Sequence, residues 1–175
     1  MRIPVERSTS YRGRNARPNL PLLALLVALA LGVELLSYVF SPAASPAAAH
    51  WYAALTKPDW LPPQRWFVPL WTALYVSMGV SLWLVWRERY HRARTAAVVV
   101  YALQLCLNAL WSPLFFGLHN VGAGLFVSVA LWTSVAWTLR EFARVRPLAA
   151  IILVPYLVCV SVVTAMNLSL WKLNP

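Results

Sequence analysis

The stretch WYAALTKPDWLPPQRWFVPLW, residues 51–71, decides how the chain is read. It holds four of the ten tryptophans, Trp51, Trp60, Trp66 and Trp71, and four prolines, Pro58, Pro62, Pro63 and Pro69. Each proline lacks a backbone donor and restrains the residue before it, so the stretch cannot be one helix. It is too aromatic for an idle linker. Long apolar segments flank it on both sides. The pattern predicts a proline-broken aromatic cover over a pocket formed by a bundle of membrane helices.

Composition supports that class. The 175 residues are 61% hydrophobic and 11% charged, with mean hydropathy +0.62. A soluble domain carries about 25% charged residues and could not hide so much apolar surface. A soluble protein with an unusually large Ala/Leu core is the rival reading, and the segment lengths oppose it. The net charge of +10 raises nucleic acid as a partner. The basic residues, however, sit at segment ends and form no stripe interleaved with stacking aromatics. Cys106 and Cys159 lie in apolar runs with no disulfide or metal spacing. His50, His91 and His119 fall in three separate connections, so no metal site is predicted.

Working outward from the cover, residues 1–19 form a basic tail with Arg2, Arg7, Arg12, Arg14 and Arg17. Residues 20–175 form one five-helix domain. The spans fall at about 20–40, 67–86, 95–116, 123–139 and 148–171, each long enough for a hydrocarbon core of about 30 Å. For residues 20–40 a secretory signal is the alternative, since Ala47–Ala49 offers a cleavage pattern. The apolar run exceeds the roughly 7–15 residues of a signal core. Residues 41–66 make the long first loop. RERYHRAR (87–94), residues 117–122 and REFARVRP (140–147) are the turns. Lys and Arg number five in the tail, then two, four, none and three in the successive connections, and one at the end. By the positive-inside rule the N-terminus is cytoplasmic, and the C-terminus and the Trp/Pro loop are outside.

The residues restrict the chemistry. No convergent Ser, His and Asp set, phosphate-binding glycine loop or H-E-x-x-H is present, so hydrolysis and phosphoryl transfer are excluded and no catalytic residue is assigned. Glu34 is the one acid inside a span, and an intramembrane carboxylate is a functional candidate. A charged transport relay needs more such groups, and five spans do not divide into two inverted halves. What remains is an aromatic, weakly polar cavity. Trp86 and Trp171 suit interfacial belts. Trp71 lies one turn inside its span. Asn108 shares a face with Gln104 and with Trp111. For Trp71 and Trp111, packing and pocket roles both remain open.

The opening stretch, with QLCLNALWSPLFFGLH (104–119) and VPYLVCVSVVTAMN (154–167), resembles the TspO/MBR family of tryptophan-rich sensory and translocator proteins. The likeness runs from about Trp51 to Trp171. It implies five transmembrane helices, a homodimer, and a ligand cavity beneath the first loop. It implies binding of porphyrin or haem, sterols and benzodiazepine-type ligands, with no cofactor required and membrane lipid as surroundings. A bacterial cell membrane is the expected location. Some bacterial relatives promote light-dependent porphyrin breakdown. Carried over by position, Trp60 belongs to the cover. Phe67, Leu70 and Trp71 match the second-helix wall. Asn108, Trp111 and Leu114 match the third helix, and Val163 and Met166 the fifth. Two positions depart from the family pattern. Cys159 stands where a second pocket tryptophan is usual, which weakens the enzymatic reading. Leu168 stands where the sterol segment has tyrosine, which makes sterol a weaker expectation than porphyrin. The expectation is therefore a binding or regulatory membrane protein for tetrapyrroles, or a transporter of them. Porphyrin degradation and a ligand-free scaffold are the alternatives.

Overall fold

The computed structural model describes residues 19–61 and 67–175. The basic tail, except Asn19, lies outside the described residues, as do Pro62, Pro63, Arg65 and Trp66 of the cover. The chain forms α1 (Leu20–Phe40), α2 (Pro46–Ala54), α3 (Phe67–Trp86), α4 (Arg94–Ser112), α5 (Val121–Val145) and α6 (Pro147–Leu173). A single π-helical turn, Pro113–Gly117, extends α4. Among the described residues there is no strand. Five helices, all but α2, are long and apolar enough to cross a membrane. The protein is an all-α, multi-pass membrane protein.

Local chemistry sets the helix starts. Asn19 Oδ1 accepts from the Leu22 N–H at 3.3 Å, and Pro21 occupies the first turn of α1. Ser45 Oγ accepts from Ala48 at 3.3 Å before Pro46. Asn120 Oδ1 accepts from Ala123 at 2.9 Å. Each side-chain oxygen satisfies a backbone donor that the first turn leaves free.

Three boundaries differ from the sequence reading. Residues 41–66 are not loop throughout, because α2 occupies Pro46–Ala54. A serine cap and a first-turn proline favour a helix start there, and no breaker follows until Pro58. The fourth span is not 123–139, and REFARVRP is not a turn. Helix α5 runs to Val145, with Glu141 buried and paired to Arg144 one turn on at 2.9 Å. Its charges resemble those of a connection, yet only Pro147 stops it, forcing Arg146 into extended backbone. The third helical segment reaches Gly117 through the π turn. Pro113 lacks the donor a regular turn needs there, and the helix widens instead.

Helix α1 packs on α3 and α4, α4 on α5, α5 on α6, and α6 on α3. At the α1–α3 crossing a Cβ on Gly79 would lie 2.6 Å from Val27 Cα, so only glycine permits that approach. The main core centres on Met78, Val85, Leu153, Tyr156 and Val160. A second cluster, Phe115, Met166 and Leu170, lies under the cover. At the opposite end the Arg146–Glu88 pair at 2.6 Å joins the α3–α4 turn to the α5–α6 junction.

Candidate ligand cavity

A cavity of about 690 Å³ opens beneath the cover. That lies within the roughly 300–1,000 Å³ usual for small-molecule sites. Helical spacing delivers its walls. From α3 come Phe67, Trp71 and Tyr75, four apart, with Val68 beside them. From α4 and its π turn come Asn108, Trp111, Ser112 and Phe116; from α6 come Val163 and Met166. The end of α1 contributes Glu34, Ser37, Tyr38 and Ser41, at spacings of three, four and seven, hence one face. The cover supplies Tyr52, Lys57 and Leu61. No α5 residue lines the cavity.

The aromatic wall is fixed by ring packing. Trp111 stacks on the fully buried Phe115 at 5.1 Å and 10°. Trp71 meets the Tyr156 ring edge-on at 6.3 Å. Trp51 anchors the cover rather than lining the cavity. It contacts Phe115 edge-on at 5.3 Å and stacks on His119 at 4.9 Å. His119 has φ of 53°, a left-handed conformation that turns its ring at the α4–α5 corner. Asn174 completes the anchoring. Its Oδ1 accepts from the Thr56 N–H at 2.9 Å, and its Nδ2 donates to the Thr56 carbonyl at 3.0 Å.

Polar groups are few and directional. Asn108 Nδ2 donates to the Tyr156 hydroxyl at 2.8 Å in a fully buried contact. Thr72 Oγ1 lies 2.5 Å from Glu34 Oε1 and 3.0 Å from the Val68 carbonyl. Ser112 donates to the Ser37 carbonyl at 2.7 Å, joining α4 to α1. The Lys57 ammonium donates to the Ala53 and Leu55 carbonyls at 3.2 and 3.1 Å, capping α2. It stands 4.8 Å from the Tyr52 ring centroid. Burial pushes the Tyr52 phenol above its ordinary pKa, so it remains a neutral donor at physiological pH. The Trp111 indole N–H and the Ser41 hydroxyl are buried without a protein partner, while the Ser37 hydroxyl lies against the Tyr75 phenol. The wall thus offers ring faces for a flat apolar body.

Of the residues singled out in the sequence, Phe67, Trp71, Asn108, Trp111, Val163 and Met166 come together on this cavity. Four do not reach it. Trp60 sits in an exposed turn, and Leu70 points outward from α3. Leu114 is half-buried in the π turn, off the lining. Cys159 lies one turn from Val163 and packs against the main core. Reading by sequence passed over Ser37, Tyr38, Ser41 and the cover residues Tyr52, Lys57 and Leu61. The spacing from Glu34 was the available signal for the first three.

The profile of the TspO/MBR family matches residues 24–172. The chain belongs to the TspO/MBR family. It is 39% identical over 154 residues to the tryptophan-rich protein TspO of Chlorobaculum tepidum, covering 87% of this chain and 96% of that protein. Against the human translocator protein it is 35% identical over 161 residues, 91% of this chain and 93% of the relative. Against the tryptophan-rich sensory protein of Cereibacter sphaeroides it is 37% identical over 125 residues, 71% and 77% of the two chains. Every helix that walls the cavity lies mostly or wholly within the TspO/MBR match. Membership supports a membrane binding or sensory role.

Proposed function

We propose that the protein binds flat, largely apolar ligands of the tetrapyrrole class, protoporphyrin or haem, in the cavity beneath its cover. The observation that carries this reading is the pairing of Trp71 and Trp111 on a cavity of about 690 Å³ with few polar groups. A planar macrocycle would gain from ring contact and apolar burial against these walls. Saturable quenching of tryptophan fluorescence by protoporphyrin tests it. Trp71→Ala should weaken binding about tenfold, the equivalent of about 1.4 kcal/mol. Unchanged affinity in that variant would remove the site. For the alternative of porphyrin breakdown, Trp71 lines the cavity and Cys159 lies off the lining. The same proposal sets the cover and C-terminus outside and the N-terminus in the cytoplasm, with twelve arginines on the cytoplasmic side: five in the tail, four in residues 87–94 and three in residues 140–146. Terminal tags accessible from one side only would refute that orientation.

A further inference from the structure

Glu34 is, among the described residues, the negative charge on the cavity wall without an opposite charge beside it. Among the described acids, Glu88 pairs with Arg146, and Glu141 with Arg140 and Arg144. Asp59 lies in an exposed turn. Glu34 is half-buried on the cavity wall and has no cationic partner among the described residues. It lies seven residues before Ser41, about 10 Å inside the end of α1 by helical rise. A carboxylate at such depth is costly unless something compensates it. Thr72 lies within hydrogen-bond distance of one oxygen at 2.5 Å, which aims the group but brings no charge. Lys57, the cation among the described lining residues, spends two of its three donors on the end of α2.

We propose that Glu34 is a counter-ion site, and that the cavity selects flat aromatic ligands carrying a positively charged nitrogen. The proposal rests on the reading above that the cavity takes flat apolar bodies, and adds a charge preference among them. A planar cation would set its charge against the Glu34 carboxylate, with its ring system over Trp71. That placement adds ion pairing to cation–π attraction at low local dielectric. Thr72 is the positioning residue, because its hydroxyl holds the carboxylate toward α3.

The test uses the full detergent-solubilised chain and two probes of one shape. N-methylacridinium carries a fixed positive charge, and 9-methylanthracene has the same three-ring frame without it. Wild type should bind the cation about tenfold more tightly than the hydrocarbon. Glu34→Gln should abolish that preference, leaving the hydrocarbon within about twofold, with unchanged helical circular dichroism as evidence of folding. Thr72→Val should reduce the preference by a smaller factor. A wild type without preference for the cation overturns the proposal, and so does an unchanged preference in Glu34→Gln. Equal loss of both probes in that variant also overturns it, since it would mark a packing role. If protoporphyrin fails to bind wild type as well, the cavity-binding reading falls with it; if protoporphyrin binds, only the role of Glu34 falls.

Discussion

Gly124→Ala places one methyl group where the second core cluster has no room. Gly124 is buried in the first turn of α5. A Cβ there would lie 2.4 Å from Phe115 Cδ2, and 3.1 Å from both Phe115 Cβ and Asn167 Oδ1. Carbon atoms settle at about 3.5–4.0 Å, so the ring must retreat by about 1 Å. Phe115 is fully buried, with Trp111 stacked at 5.1 Å, Phe116 at 4.8 Å and Trp51 at 5.3 Å around it. It cannot move alone. Overpacking of this kind costs about 1–3 kcal/mol. The displaced ring pushes on Trp111, so the cavity wall should move with it.

The assay is unfolding in mixed micelles with increasing denaturing detergent, followed by helical circular dichroism. Gly124→Ala should lose about 1–3 kcal/mol. Phe115→Leu alone should also destabilise, by leaving a void. Combined, the two should cost less than their sum by about 1–2 kcal/mol, because the shorter side chain makes room for the methyl group. The emission of Trp51 and Trp111 should shift in the single glycine variant and return toward wild type in the double. A Gly124→Ala protein within about 0.5 kcal/mol of wild type would refute the reasoning, as would strict additivity.

Two further outcomes are expected. Asn108→Ala leaves the buried Tyr156 hydroxyl without its 2.8 Å partner, so it should cost about 1–3 kcal/mol. Adding Tyr156→Phe should recover part of that loss, and a pair that shows no coupling in the unfolding assay would discredit the contact. Asn174→Ala removes both hydrogen bonds to Thr56. The Thr56 amide should then exchange about five- to tenfold faster while global stability holds, since an exposed strap contributes locally. Unaltered exchange at Thr56 would mean that the strap does not hold the cover.

What could be read from the sequence follows from which physical signal each feature writes into it. The spans were legible because an apolar run of bilayer length bounded by arginines has few other meanings. That same reliance on charge misplaced the end of α5. Glu141 and Arg144 satisfy each other one helical turn apart, so they continue a helix instead of interrupting it. The short α2 escaped notice because it buries little and announces itself only through Ser45 and Pro46. Within the cavity, periodicity assigns a face but not a depth. Cys159 and Val163 are one turn apart on α6, yet only Val163 reaches the lining. The motifs that carry the resemblance begin at about Trp51, so they leave α1 unread, although the family match starts at residue 24. There the residues themselves carry the information. Glu34, Ser37 and Tyr38 are three, and four, residues apart on a helix otherwise built from apolar residues, glycine and proline. On a helix facing lipid, polar side chains gather where something other than lipid meets them. In this chain that place is the cavity, and Glu34 is the deepest of the α1 residues that line it.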